Sequence, residues 1–249
     1  MKLFRRARWK EVVKGKTTRY LLYASGEIIL VVLGILIALQ VNNWNIAQKQ
    51  REVELNILRG IRSDILLDTI DMNDNIRGYE GKISVTKQLL GHLTSRKEAD
   101  TTVVAGLLRL YYSGYFIILN DAHFSQAKQV GLSIISNQAL RQKISRLYEF
   151  DYRVLSGSEA EEDDLGIRSS VEEYLSLEEY RLNGDQATVK IKIDSMNYQQ
   201  LLDDENLHIR IIALATSERS RLDRLYLPTR AKALAVAQDI EHELERLNE

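Results

Sequence analysis

An all-α fold is predicted, with one N-terminal transmembrane helix continuing into an extracytoplasmic helical bundle. Three observations carry the prediction. Residues 20–41 form an almost unbroken apolar run. Beyond them, apolar residues recur at spacings of three, four and seven, the period of one helical face. The chain also holds a single proline in 249 residues, and proline breaks helix interiors and favours turns.

The first element is a basic tail. Residues 1–19 carry eight Lys/Arg, including Arg5, Arg6, Arg8, Lys10, Lys14, Lys16 and Arg19, against Glu11 alone. Residues 42–249 hold 26 Lys/Arg and 33 Asp/Glu, so a formal net charge of −1 hides a basic arm on an acidic body. Such an arm could serve nucleic acid. Because it abuts an apolar run, a membrane accounts for it better, and no nucleic-acid partner is expected.

The second element is the span. A bilayer needs roughly 20 apolar residues at 1.5 Å each, and Tyr20 to Val41 meets that length. Tyr20 and Tyr23 at one end and Trp44 at the other are residue types that anchor at the headgroup level. Beyond the span, Lys49 and Arg51 are balanced by Glu52 and Glu54. The positive-inside rule therefore predicts a cytoplasmic tail at 1–19, a transmembrane helix at 20–44 and an extracytoplasmic helical domain at 45–249. The competing reading is a cleaved signal peptide. The run is too long for one, and no clear small-x-small cleavage site follows it.

From Asn45 the helix is expected to continue, with a stripe at Leu58, Ile61, Ile65, Met72, Ile76, Tyr79, Ile83, Leu90 and Leu93. Ser95 to Asp100 reads as a turn. A second, aromatic-rich helix is expected from Thr102 to Leu119, and short helical pieces from His123 to Ile135. Ser136 or Asn137 can cap the helix carrying Leu140, Ile144, Leu147 and Tyr148. Another helix is expected at Ile167 to Tyr180 and a turn at Asn183-Gly184-Asp185. Val189, Ile191 and Ile193 alternate with Lys190, Lys192 and Asp194, which predicts one short strand. A last helix is expected from Asp204 to Leu247, broken or kinked at Pro228, with a stripe at Ala233, Ala237, Ile240, Leu244 and Leu247.

The stretch from Gly26-Glu27 to Asn42-Asn43-Trp44-Asn45 resembles the hallmark of a family of uncharacterised bacterial single-pass membrane proteins, domain of unknown function 6090. The resemblance covers about 26 residues closely. It implies a bacterial inner-membrane protein with a periplasmic domain, and it implies no activity.

With no cysteine, disulfides, thiolate metal sites and cysteine nucleophiles are excluded. The four histidines, His92, His123, His208 and His242, sit in no paired metal spacing and no catalytic motif, and read as surface or capping residues. The acidic run Glu159, Glu161, Glu162, Asp163, Asp164 lacks the ligand spacing of a calcium loop and reads as a solvated face. The cluster Tyr111, Tyr112, Tyr115, Phe116 is plain core or the lining of a ligand pocket. No catalytic residue, cofactor or metal site is expected.

Glu27 is the most informative residue, because a carboxylate within a span is costly and marks function by default. It snorkels to the headgroups, aids helix association or carries ions. Gly26, Gly34 and Ala38 offer small-residue spacing for close helix approach, and Gln40 offers a hydrogen bond between helices. The leading reading is thus a membrane-anchored, non-enzymatic protein that forms a homo-oligomer or presents an interaction domain. Its partners would be the lipid bilayer and copies of itself. The alternatives are an extracytoplasmic sensor or ligand-binding module, and a subunit of an ion-driven transport or motor complex that uses Glu27 beside another membrane protein.

Overall fold

The computed structural model describes the backbone of residues 4–95, 104–105, 107, 115–160, 173–183, 186–193 and 195–248. Side chains are described within 24–95, 104–105, 107, 115–158, 173–175, 193 and 197–248. The chain divides into two compact units, Met1–Glu54 and Leu55–Glu249. Helix α1 takes Phe4–Ser95, as the uninterrupted helical periodicity predicts. The described part, Ala24–Ser95, is long and apolar enough to cross a membrane, and none of its apolar window is buried.

The second unit is a helical bundle with one small hairpin. After α1 come α2 (Ala122–Val130), a 3-10 turn (Leu132–Ile134), α3 (Gln138–Arg146), a π turn (Leu147–Asp151) and α4 (Tyr152–Ala160). A hairpin of β1 (Ser176–Asn183) and β2 (Gln186–Lys192) follows, then α5 (Ser195–Asp203), α6 (Glu205–Arg221), a second π turn (Leu222–Tyr226) and α7 (Leu227–Asn248). Asn137 caps α3 by accepting from the Leu140 N–H, and Asp204 caps α6 by accepting from the Leu207 N–H. The break expected at Pro228 takes the form of the π turn that ends just before it. Proline supplies no N–H for the preceding turn, so the ladder slips to a wider repeat.

Two apolar cores result. The larger gathers Leu58, Ile61, Ile65, Met72, Ile76 and Tyr79 of α1 with residues of α2, α3, α4 and α7. The expected stripe of α7 is present, with Ala233, Ala237, Ile240 and Leu247 buried and Leu244 partly so. The smaller core joins Leu89 and Leu93 of α1 to Val104, Leu107, Ile193 and the residues Leu201, Leu202, Leu207 and Ile211. A buried ion pair links α1 to α6, with Lys82 Nζ 3.0 Å from Glu218 Oε1 and exposures of 6% and 0%. The Arg221 guanidinium lies over the Tyr79 ring at 5.8 Å.

Two expectations need correction. The helix expected from Thr102 to Leu119 does not reach its end, because residues 115–121 carry no helical structure. Residues 104, 105 and 107 are helical, and the rest of that stretch, Tyr111 and Tyr112 included, lies outside the described residues. The helix expected at Ile167 to Tyr180 gives way to strand at Ser176–Asn183, while 161–172 lie outside the described residues. The strand expected from Val189 is β2, which ends at Lys192 rather than at Ile193 and finds its antiparallel partner in β1. Apolar positions Leu177, Tyr180 and Leu182 mislead here. A register shift between Leu177 and Glu179 inserts one residue, so a period-two strand shows a spacing of three that mimics a helix.

Candidate functional site

Residues 115–123 lie along α1 in the opposite direction. The Tyr115 ring sits over Gly78 and the His123 ring over Gly60. Eighteen residues of α1 rise about 27 Å, which eight residue steps cover only at about 3.4 Å each, so this segment is extended. An extended segment beside a helix has no ladder for its N–H groups. Three aspartates of α1 supply the acceptors instead. Ile118 N–H donates to Asp71 Oδ2 (2.9 Å), Asn120 N–H to Asp68 Oδ1 (2.8 Å) and His123 N–H to Asp64 Oδ2 (3.2 Å). Asn120 Nδ2 donates a second bond to Asp68 Oδ1 (2.9 Å), and His123 Nδ1 lies 2.9 Å from Asp64 Oδ2. At Gly60 and Gly78 the two chains approach so closely that a Cβ would fall 2.1 Å from the His123 ring and 2.2 Å from the Tyr115 ring.

Asp68 is the centre of this arrangement. It is 0% exposed, and only Oδ1 has hydrogen-bond partners. Oδ2 is buried without a partner among the described residues, as are the hydroxyls of Tyr148 and Tyr152. The Tyr152 hydroxyl is close enough to interact with the carboxylate, yet it makes no bond of normal geometry. Burial pushes the Asp68 carboxyl above the usual carboxylate range, and the Asp64 charge adds to that. The Asn120 backbone and side-chain donors oppose it. Burial, followed by the Asp68 charge, also raises both phenols, so their protons are firmly held.

The tyrosines flank the first π turn. Tyr148 stacks on Phe124 with centroids 4.5 Å apart and meets Tyr152 edge-on at 5.1 Å. Outside them is a cleft of about 710 Å³ whose charged lining is Asp121, Lys128, Glu149 and Arg153. The Lys128 ammonium lies 5.6 Å from the Phe124 ring centre and 3.1 Å from Glu149.

Sequence reasoning missed this centre. A signal was present, because Asp64, Asp68 and Asp71 repeat at four and three, the spacing of the apolar stripe itself. Three carboxylates in step with a core face need donors from elsewhere in the fold. Among the histidines, His123 is more than a surface residue through its contact with Asp64, and His208 Nε2 meets the Leu201 carbonyl at 2.9 Å. Of the aromatic cluster, Tyr115 is half-buried beside Tyr79 and Phe116 is exposed. The side chains of the acidic run at 159–164 lie outside the described residues.

The residues singled out in the span stand open. Glu27, Ala38, Gln40 and Trp44 are exposed, and no atom of another residue comes within 4 Å of a Cβ built at Gly26 or Gly34. At about 100° per residue, Glu27, Gly34 and Ala38 fall within roughly 40° of one another around α1. Gly26 lies about 80° from Gly34, and Gln40 faces still further away, so neither shares their line. The side chains of Tyr20, Tyr23 and the basic cluster lie outside the described residues.

A family model described as a family of unknown function, DUF6090, matches residues 27–202. The match takes in Glu27, the three aspartates and both tyrosines of the cleft. No curated protein and no solved structure matches the chain.

Proposed function

The chain belongs to the DUF6090 family of unknown function, and from the chemistry of its own residues we propose that it is a membrane-anchored, non-enzymatic protein that self-associates through its span. The observation that carries this reading is the line Glu27–Gly34–Ala38. Its own chain leaves this line uncovered, and it combines a carboxylate with small residues. In a bilayer a carboxylate near the centre of a span costs roughly 2.5 kcal/mol or more. Small residues beside it let a second helix come close enough to share that carboxylate in a hydrogen bond. The excess of Lys/Arg before the span and the near-balance after it support a cytoplasmic tail and a domain on the far side, in a bacterial inner membrane.

The test is chemical cross-linking of the full chain in native membranes, with light scattering in detergent. Wild type should form a defined oligomer. Gly34→Leu should weaken it, because the new side chain meets nothing in its own protomer and obstructs only a neighbour. A strictly monomeric wild-type chain in both experiments would refute self-association. Reporter fusions after Val41 and after Glu249 should both read outside the cytoplasm; cytoplasmic activity at either overturns the orientation.

A further inference from the structure

Independently of the span, we propose that the cleft over Tyr148 and Tyr152 binds a small organic ammonium, a protonated amine or quaternary nitrogen, with Asp68 as its counter-charge. The inference starts from an imbalance. Asp68 Oδ1 takes two donors from Asn120, while Oδ2, in a residue with 0% exposure, takes none among the described residues. The hydroxyls of Tyr148 and Tyr152 share that condition. A buried carboxylate edge beside two idle phenol oxygens requires a donor or a positive charge. The nearby donors are already committed, since Asn120 serves Oδ1 and His123 serves Asp64.

The surroundings select the kind of charge. Phe124, Tyr148 and Tyr152 form a continuous aromatic cluster through their stacked and edge-on contacts. Ring faces attract cations, and a quaternary or primary ammonium within about 6 Å of a ring gains from the quadrupole. The chain's own Lys128 ammonium already makes that contact with Phe124, which shows the preference of the cleft mouth. A divalent metal is a poorer fit. Among the described residues no group of three or more His, Cys, Asp or Glu is placed to hold one, and ring faces contribute nothing to metal coordination. At about 710 Å³ the cleft has the size of a small-molecule site. The π turn between the two tyrosines is a helical irregularity that recurs at functional sites, where it re-aims side chains.

The experiment titrates the full chain in detergent micelles with putrescine and with choline chloride, followed by calorimetry, with sodium acetate as the anionic control. The ammonium compounds should bind in the micromolar to millimolar range and acetate should not. Asp68→Asn should weaken binding about tenfold or more. Tyr152→Phe, which removes only a hydroxyl, guards against misfolding of the first variant and should weaken binding several-fold. Lys128→Gln, at a residue half-exposed on the rim, should tighten it by removing a competing ammonium. Three results overturn the proposal: no heat from either ammonium up to about 10 mM, equal binding of acetate, or binding that none of the three variants alters. A gap filled by water alone gives the first of these.

Discussion

The same substitution, Gly→Ala, should change stability in opposite directions at two positions three residues apart in α1. Within a helix, alanine is more favourable than glycine by about 0.8–1.0 kcal/mol. At Gly81 no atom of another residue lies within 4 Å of the new Cβ, so Gly81→Ala should show that gain undiminished. At Gly78 the Cβ would fall 2.2 Å from Cε1 of Tyr115. That ring is not free to retreat. It packs on Tyr79 with centroids 5.6 Å apart, and its residue belongs to the segment held by Asp71, Asp68 and Asp64. Overpacking of this kind costs about 1–3 kcal/mol. Offset by the helical gain, Gly78→Ala should be neutral to about 2 kcal/mol destabilising. For a unit of this size, 1 kcal/mol moves Tm by roughly 2–4 °C. Circular-dichroism melts of the full chain in one detergent should therefore place Gly81→Ala above wild type and Gly78→Ala at or below it. If Gly78→Ala melts as high as Gly81→Ala, the close approach of the extended segment to α1 is wrong.

Further outcomes follow from the cores and the charges. Ile65→Ala, at a side chain with 0% exposure, should lower unfolding free energy by about 2–5 kcal/mol in chemical denaturation. Asn137→Ala removes the α3 cap and the Asn137 donor to Glu243, a bond of 2.9 Å, and should cost about 1 kcal/mol or somewhat more. The Glu243 carboxyl is lowered below its usual 4.5, first by its hydrogen bond from Arg246 and then by Asn137. A depressed carboxyl stabilises above its unfolded value, and that stability is lost as pH falls through the folded value. Glu243→Gln should therefore flatten the acid limb of a plot of stability against pH. Asp68 has the opposite sign. Its folded form holds a proton more tightly than the unfolded 3.8, so its contribution falls as pH rises above that value, and Asp68→Asn should remove this fall. Parallel pH profiles of wild type and both variants check the two signs.

How much of this was legible depended on whether the cause was local. The face of α1 was readable from Leu58 to Tyr79 because a repeat in sequence is a repeat around a helix. The Asn137 cap and the strand at Val189 were legible for the same reason. The extended course of residues 115–121 was not. Its aromatic run fits a helix locally, and what defeats the helix is a set of carboxylates 47 to 59 residues away that accept its N–H groups. β1 was hidden by its own inserted residue, which turned a two-residue period into a three-residue step. In the span, the composition announced a membrane helix, but only helical geometry separates Glu27, Gly34 and Ala38 from Gly26 and Gln40.

The carboxylate row on α1 also sets an order of assembly. The helix can form by itself, since each of its bonds closes a short ring. The extended segment cannot, because its anchoring bonds close loops of 47, 52 and 59 residues and give no return until the helix is in place. The segment should therefore dock late in folding and release early in unfolding. The amides of Ile118 and Asn120 report on that event separately. Their protection against deuterium rests on side chains of another element rather than on a ladder, so they should exchange well before the amides of Ile61 and Ile65.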